Sequence, residues 1–330
     1  MRLLISGYGG SPEGNGGNTA GVYDTGLGRF VWESGIEGIS FMCADEERDV
    51  IFGAGEAADG GRVYMFAKDN GGYALCGALD VKGGSLCHLA YSKKHEAVAG
   101  ACYGNGDVFT AKVGRSGFGG FVSYVAGEGD SRAHCAVFSA DENFLYSADI
   151  AKDIVNVFSV SGGELKYESC ARLGDGAGPR HLILIGRDIY VITEYSNEVY
   201  RFTESGANAY EERQRTSILP DGFDGPSYGS SICFLPASGG EGFIYAANRG
   251  PDVIAALKRK ADGSLEVAGH YGCAGKWPRH IEIVDINEKK YLAIANERSG
   301  FLSLHQIDEA DGSFGEPELR VPFGRVSFVL

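Results

Sequence analysis

Short apolar runs alternate with polar and Gly-rich turns along the chain, and one such arrangement occurs twice. The first copy opens with Gly178-Pro-Arg-His181 and continues as two apolar runs, separated by a turn, that end at Glu194. The second copy opens with Trp277-Pro-Arg-His280 and ends, after two similar runs, at Glu297. Two copies of one pattern predict a structural repeat.

The remainder of the chain fits the same repeat. Positions equivalent to Arg180 recur at intervals of 46 to 50 residues. Each precedes a short apolar strand, followed by a second apolar strand, an alternating third strand and, after a Gly-rich turn, a more polar fourth strand. No stretch has the period of an amphipathic helix. The equivalent positions are Ile39, Cys87, His134, Arg180, Ser230, Arg279 and Arg325.

Four antiparallel strands in each such unit are typical of one blade of a β-propeller. Six complete units run from about Gly38 to Leu319, and strands for one more blade are expected at 3–5, 19–23, 30–32 and 325–329. A C-terminal strand that joins the N-terminal blade closes the ring and leaves no exposed sheet edge. The sequence therefore predicts an all-β fold, a seven-bladed β-propeller that forms a single domain over residues 1–330. Its first blade is shared between 1–37 and 322–330.

The Gly-rich stretch from Gly9 to Asn18 is predicted to be a loop of the first blade. It lacks the Gly-Lys-Ser/Thr ending and the following helix of a phosphate-binding loop. A nucleotide-binding role is therefore not expected.

Composition narrows the possible partners and the compartment. Apolar residues make up 44% of the 330 residues, and the formal net charge of −14 opposes binding to nucleic acid and to anionic membranes. No apolar run approaches the ~18 residues of a membrane span, and the run after Met1 is too short for a signal peptide. These features predict a cytoplasmic protein, and a propeller of this size is expected to be a monomer or a weak homodimer.

The eight cysteines are scattered without a C-x-x-C pair. Because most of them lie in apolar runs and none is paired in spacing, they are predicted to be buried, reduced thiols rather than a disulfide framework or a zinc site. No metal ion and no cofactor are expected. The five cysteines in apolar, strand-like runs are Cys43, Cys87, Cys102, Cys135 and Cys233.

Polar residues occupy two sets of repeat positions that a propeller places on one face. The first set is the positions equivalent to Arg180, and the second marks the ends of the second strands. Their arginines and glutamates could form ion pairs that only hold neighbouring blades together, or a positive site for small anions in an acidic protein. His181 and His280 adjoin the first set. The second set is Tyr8, Glu56, Tyr103, Ile150, Glu194, Arg249 and Glu297.

These motifs resemble those of the seven-bladed propeller lactonase family, which includes bacterial 6-phosphogluconolactonases and a fungal muconate-lactonizing enzyme. The resemblance covers essentially the whole chain. It implies a site of His134, Arg180, Glu194 and Arg249 and the hydrolysis of an anionic sugar lactone, above all 6-phosphogluconolactone of the pentose phosphate pathway. The motifs that carry it are Gly178-Pro-Arg-His181, Glu194, Ala247-Asn-Arg249, Arg132-Ala-His134 and Pro278-Arg-His280.

Lactone hydrolysis needs an activated water, a stabilised oxyanion and a proton for the leaving alkoxide. Either Glu194 or His134 could be the general base, while Arg180 and Arg249 would hold the carbonyl oxygen and the anionic group. No Gly-x-Ser-x-Gly elbow is present, so a serine nucleophile is not expected. Candidates for further substrate contacts are His181, Arg279, His280, Glu297, Arg325 and Tyr103.

The chain departs from the family pattern at two positions, and these changes make the substrate harder to predict than the fold. Cys135 follows His134 where family members often have Ser, and Thr193 precedes Glu194 where Asn is usual. One alternative is the reverse chemistry, the cyclisation of a muconate-like diacid. Another is a non-catalytic propeller that binds a protein or peptide on one face. The arginines expected around the axis argue against this second alternative, because a scaffold does not require them.

Overall fold

The computed structural model describes residues 1–8, 20–206 and 208–330. These residues form β-strands, with a single short 3₁₀ helix among them at Ser238–Gly240. None of the described segments is a helix long and apolar enough to cross a membrane. The loop predicted from Gly9 to Asn18, and Thr19 of an expected strand, lie outside the described residues.

Contacts between Cα atoms group the strands into two compact units. The first unit comprises residues 2–8 and 20–172. Its strands are β1 (Arg2–Gly7), β2 (Gly21–Asp24), β3 (Arg29–Glu33), β4 (Ile39–Asp45), β5 (Val50–Ala57), β6 (Gly60–Asp69), β7 (Gly72–Val81), β8 (Leu86–Ser92), β9 (Ala97–Cys102), β10 (Val108–Val113), β11 (Phe118–Val125), β12 (Ala133–Phe138), β13 (Phe144–Asp149), β14 (Ile154–Ser161) and β15 (Glu164–Arg172).

The second unit comprises residues from 173 to 330. Its strands are β16 (Pro179–Ile185), β17 (Asp188–Thr193), β18 (Glu198–Gly206), β19 (Ala209–Ser217), β20 (Tyr228–Pro236), β21 (Gly242–Arg249), β22 (Val253–Arg259), β23 (Leu265–Gly272), β24 (Pro278–Ile286), β25 (Lys289–Asn296), β26 (Phe301–Gln306), β27 (Leu319–Pro322) and β28 (Val326–Val329).

Seven four-stranded sheets account for all these strands. Six sheets each take four strands in chain order, and the seventh has the order β28-β1-β2-β3. Sequential strands pair antiparallel, as in β16 with β17 and β17 with β18. The predicted all-β fold of seven four-stranded blades is confirmed, including the C-terminal strand in the N-terminal blade.

The inner strand of each complete blade begins with a β-bulge. In β16 the bulged residue is Arg180, because its neighbours Pro179 and His181 pair with consecutive residues of β17. A bulge re-aims the side chains around it, so it sets the direction of Arg180. Equivalent irregularities occur at Ser40, Cys87, His134 and Arg279, and between Gly229 and Ile232.

One of the predicted repeat positions equivalent to Arg180 is wrong by a single residue. In the second sheet the bulge falls at Ser40, not at the expected Ile39. The hydrogen bonds agree, because the N–H of Glu56 donates to the carbonyl of Gly38 at 3.0 Å, two residues before the bulge. The N–H of Glu194 likewise donates at 2.7 Å to Gly178, two residues before Arg180.

Neighbouring blades are joined by buried hydroxyl groups that reach Gly-rich turns. The hydroxyl of Tyr190 donates to the carbonyl of Gly263 at 2.6 Å, and that of Tyr245 donates to the carbonyl of Gly312 at 2.9 Å. Both tyrosines lie on second strands, and both glycines lie in the turn between the third and fourth strands of the next blade. Each bond satisfies a buried hydroxyl and fixes one blade against the next.

We expect Gly229→Ala to destabilise the protein by about 1–3 kcal/mol. A Cβ at Gly229 would lie 2.2 Å from the backbone oxygen of Thr193, so β20 would have to move away from β17. Gly272→Ala is the matched control, because its Cβ would meet nothing within 4 Å. Both changes restrict the unfolded chain equally, so urea unfolding isolates the packing effect. Equal midpoints for the two variants would contradict the prediction.

Candidate active site

Arg180 is a buried cation at the start of inner strand β16. Its guanidinium donates to the carbonyl of Ser230 on β20, and its Nε lies 3.2 Å from Oε2 of Glu194. Only 3% of its side chain is exposed. A charge buried to this degree needs such partners, because water no longer solvates it.

Glu194 connects Arg180 to a second buried arginine. It directly follows β17, and its Oε2 lies 2.9 Å from Nη2 of Arg249, the last residue of β21. The same Nη2 donates to the carbonyl of Gly229 at 2.9 Å. Burial lowers the pKa of Arg249, and the charge of Glu194 opposes that effect. Two guanidinium groups thus share one carboxylate, which leaves a net positive charge.

Local backbone geometry explains how Glu194 comes to lie beside Arg180. Gly178 has φ 68°, a conformation that glycine adopts without strain. A Cβ at this position would lie 2.4 Å from the ring of Tyr195. Glycine therefore permits the close approach that brings the residues after β17 next to the bulge.

The second copy of the motif builds a similar cluster. Arg279 lies at the bulge of β24, and its Nη1 is 3.7 Å from Oε2 of Glu297. Arg325 places its Nη2 3.3 Å from Oε1 of the same glutamate. The charges of Arg279 and Glu297 also act on the pKa of Arg249, so the two clusters lie within electrostatic reach of each other.

The two histidines of the repeated motif are buried beside these clusters. Nε2 of His181 lies 3.4 Å from Nη1 of Arg180. The rings of His181 and His280 are 6.1 Å apart in an edge-to-face arrangement, and His280 also packs against Phe328 at 4.7 Å. His181 therefore contacts Arg180 directly, and His280 packs between His181 and Phe328.

His134 and Tyr103 lie together in the first unit. Their rings are 5.8 Å apart in an edge-to-face arrangement. His134 is buried, whereas Tyr103 is 37% exposed. The predicted site residues therefore form two groups: these two in the first unit, and the other eight in the second. Nowhere in the described ranges do three His, Cys, Asp or Glu side chains form a group able to hold a metal ion.

Sequence reasoning missed the aromatic side chains next to Arg249. Its Cζ lies 5.9 Å from the ring centroid of Tyr228 and 5.4 Å from that of Trp277. The Cζ of Arg298 lies 3.3 Å from the same Trp277 centroid. The only available signal was that Trp277 replaces glycine at the head of the second motif.

A second missed residue is Glu282, three positions after Arg279 on inner strand β24. The sequence reads as an apolar strand here, and the glutamate is half-buried within it. Burial raises the pKa of Glu282 to about 7, although an N–H donated by Ile283 to its Oε1 at 2.9 Å acts in the opposite direction. This carboxyl group is therefore poised to change its charge near neutral pH.

Comparisons with known proteins agree with the architecture. The family model "Lactonase, 7-bladed beta-propeller" matches residues 29–330. A 6-phosphogluconolactonase of Bacillus subtilis (strain 168) is 30% identical over 288 residues, which is 83% of this chain and 81% of that protein. The structure of a periplasmic gluconolactonase of Pseudomonas aeruginosa aligns with a TM-score of 0.88 at 21% identity, covering 100% of this chain and 98% of that one.

A putative 6-phosphogluconolactonase of Bacteroides fragilis gives a similar result. Its structure aligns with a TM-score of 0.86 at 19% identity and covers 100% of this chain and 97% of its own. At such identities the likeness to the two solved structures shows the fold alone.

Glu282 should make the protein less stable as the pH rises. Its pKa of about 7 in the folded protein exceeds its ordinary value of 4.5, so between these values the folded state holds a proton that the unfolded state releases. Stability is therefore lost as the pH rises through this range. We expect Glu282→Gln to be more stable than the wild type at about pH 8 and to lose this advantage towards about pH 4.

The measurement is urea unfolding across this pH range. Exposed Glu164 supplies the control, because Glu164→Gln should leave the pH dependence unchanged. A constant difference between Glu282→Gln and the wild type at all pH values would contradict the assignment.

Proposed function

We propose that this chain, which belongs to the family of seven-bladed β-propeller lactonases, hydrolyses 6-phosphogluconolactone to 6-phosphogluconate. The choice of a phosphorylated sugar lactone is supported by the name of the Bacillus subtilis relative. It is also supported by a positive cluster in a protein whose formal net charge is −14. Such a cluster attracts a small anion that the rest of the surface repels.

One observation carries the proposal. A single carboxylate, Glu194, lies between two guanidinium groups, at 3.2 Å from Arg180 and 2.9 Å from Arg249. The three side chains are at most 19% exposed. This arrangement combines a proton acceptor with preorganised donors for an oxyanion, the two elements that hydrolysis of a lactone requires.

The proposed reaction begins when the oxygen of water adds to the lactone carbonyl carbon. Glu194 takes a proton from this water, with His134 as the alternative base. Arg180 and Arg249 donate to the carbonyl oxygen, on which negative charge develops. The bond from the carbonyl carbon to the ring oxygen then breaks, and the base returns its proton to that oxygen. The new carboxylic acid releases its own proton to solvent, and no step uses a metal ion or a cofactor.

The second cluster is assigned to binding rather than to bond breaking. Arg279, Glu297 and Arg325 would contact the polar groups of the sugar. His181, which contacts Arg180, and His280, which packs against His181, would help to position the arginines. The substrate contact of Tyr103 stays a prediction. Arg325 suits a binding role, because 48% of its side chain is exposed and can reach a ligand from solvent.

We also propose that the protein acts in the cytoplasm, within the pentose phosphate pathway. All eight cysteines are free thiols, which fits a reducing compartment. Burial raises the pKa of Cys102 and Cys273 to about 12, so these thiols stay protonated and react slowly. The single domain and the monomeric or weakly dimeric state remain predictions.

We expect the wild type to accelerate the hydrolysis of freshly prepared 6-phosphogluconolactone above its spontaneous rate. Arg180→Ala and Arg249→Ala should each lower kcat at least about 100-fold, because each removes a donor to the oxyanion. Glu194→Gln should lower kcat similarly if Glu194 is the base, and His134→Gln should do so if His134 is. The measurement is the rate of acid release in a lightly buffered solution.

Arg187→Ala is the matched control, because Arg187 is an exposed arginine in the turn after β16. It should keep full activity. Circular dichroism and thermal unfolding of each variant separate loss of chemistry from loss of folding. Activity that survives both arginine substitutions would remove these residues from the mechanism, and no acceleration by the wild type would remove the proposed substrate.

A further inference from the structure

We infer that Arg298, stacked on Trp277, binds the phosphate group of the substrate and makes the site prefer phosphorylated over unphosphorylated lactones. This inference rests on the proposed lactonase function and names the residue that selects within the substrate class. Arg298 directly follows Glu297 of the second cluster, and its side chain is exposed. It belongs to neither set of repeat positions.

The charge of Arg298 is not neutralised by a neighbouring carboxylate. Arg180 and Arg249 pair with Glu194, and Arg279 and Arg325 pair with Glu297. Arg298, by contrast, forms no ion pair with any residue in the described ranges. Its guanidinium lies against the indole of Trp277, with Cζ 3.3 Å from the ring centroid. A guanidinium that stacks on an aromatic face can still donate its N–H groups to an anion.

Trp277 holds this arginine close to the catalytic cluster. The Cζ of Arg249 lies 5.4 Å from the indole centroid and that of Arg298 lies 3.3 Å from it, so the two are within 9 Å of each other. In 6-phosphogluconolactone the phosphate is joined to the carbonyl carbon through the ring oxygen, C5, C6 and the ester oxygen. A carbonyl at Arg249 therefore leaves the phosphate within reach of Arg298.

The backbone conformation of Trp277 indicates that its indole has a function. Its φ of 64° is left-handed, as are those of Gly178 at 68° and Gly38 at 75°, each two residues before a bulge. Glycine adopts this conformation freely, whereas a bulky residue is strained by about 1–3 kcal/mol. Trp277 is held there by hydrogen bonds to Asp252 at 2.8 Å and from Glu297 at 3.1 Å. Glycine would adopt this backbone conformation without strain, yet the chain has a tryptophan here. What the tryptophan adds is the indole beneath Arg298.

The test compares kcat/KM for 6-phosphogluconolactone and for glucono-1,5-lactone in the wild type and in Arg298→Ala. We expect Arg298→Ala to lower kcat/KM for the phosphorylated lactone by about 10–100-fold, mainly through KM, because a charge-assisted contact is lost. The value for the unphosphorylated lactone should change less than about twofold. Arg298→Lys should restore part of the preference, since it keeps the charge but not the planar fork.

Arg320→Ala is the matched control. Arg320 is also an exposed arginine over an aromatic ring, with Cζ 5.3 Å from the centroid of Phe301, but it lies on outer strand β27. It should leave both substrates unaffected. An equal loss for both substrates in Arg298→Ala would overturn the inference and indicate a purely structural role. No loss for either substrate would overturn it as well.

Binding of the products tests the inference separately from catalysis. Calorimetric titration of the wild type with 6-phosphogluconate and with gluconate should show tighter binding of the phosphorylated acid. Arg298→Ala should remove that difference. If the wild type binds 6-phosphogluconate more tightly but hydrolyses no lactone, the proposed function fails and the phosphate site stands. If the wild type binds both acids equally or not at all, the phosphate site is wrong.

Discussion

A guanidinium group taken out of water must be paired, and this requirement organises the candidate site. Arg180 is 2% exposed, and its partners are the carbonyl of Ser230 and the carboxylate of Glu194. Breaking a buried pair of this kind typically costs about 3–5 kcal/mol. Glu194 and Arg249 are therefore held by the same constraint that lets Arg180 be buried, and the three side chains are already paired without a substrate.

The backbone makes that pairing possible through a repeated irregularity. A bulge at the start of the inner strand of each complete blade directs one side chain. In the β16 and β24 blades, the N–H of the residue after the second strand bonds to the carbonyl two residues before that bulge. This device also occurs at Ser40 and Cys87, which carry no charge. The repeat therefore supplies equivalent positions, while the residue type at each position decides whether chemistry is available there. Ion pairs in this protein can also be purely structural, because Asp188 joins Arg201 and Arg259 away from these positions.

The repeat, the seven blades and the second strands could be predicted because strand period and turn residues are local signals. The pairing of Arg180, Glu194 and Arg249 could be anticipated only as a set of aligned positions, since their contacts join three separate strand ends. The equivalent position at Ser40 was missed because a bulge adds a residue without changing the apolar pattern. Trp277, Arg298 and Glu282 were missed for a different reason. Stacking geometry and burial depend on side chains that meet from separate strand ends and from neighbouring blades, which no local pattern describes.

The arginines of the two clusters differ in burial, with Arg180 3% and Arg279 19% exposed, and that difference argues for different tasks. The side chain of Arg249 is 6% exposed, whereas that of Arg325 is 48% exposed. Electrostatic stabilisation grows as water is excluded, so the cluster around Glu194 is the better place to stabilise an oxyanion. A phosphate group is strongly hydrated, and an exposed guanidinium can bind it without being stripped of its own water first. Arg298 and Arg325 are exposed and meet that condition. Two arginine–glutamate clusters whose arginines differ in burial can therefore separate bond breaking from substrate selection within a single fold.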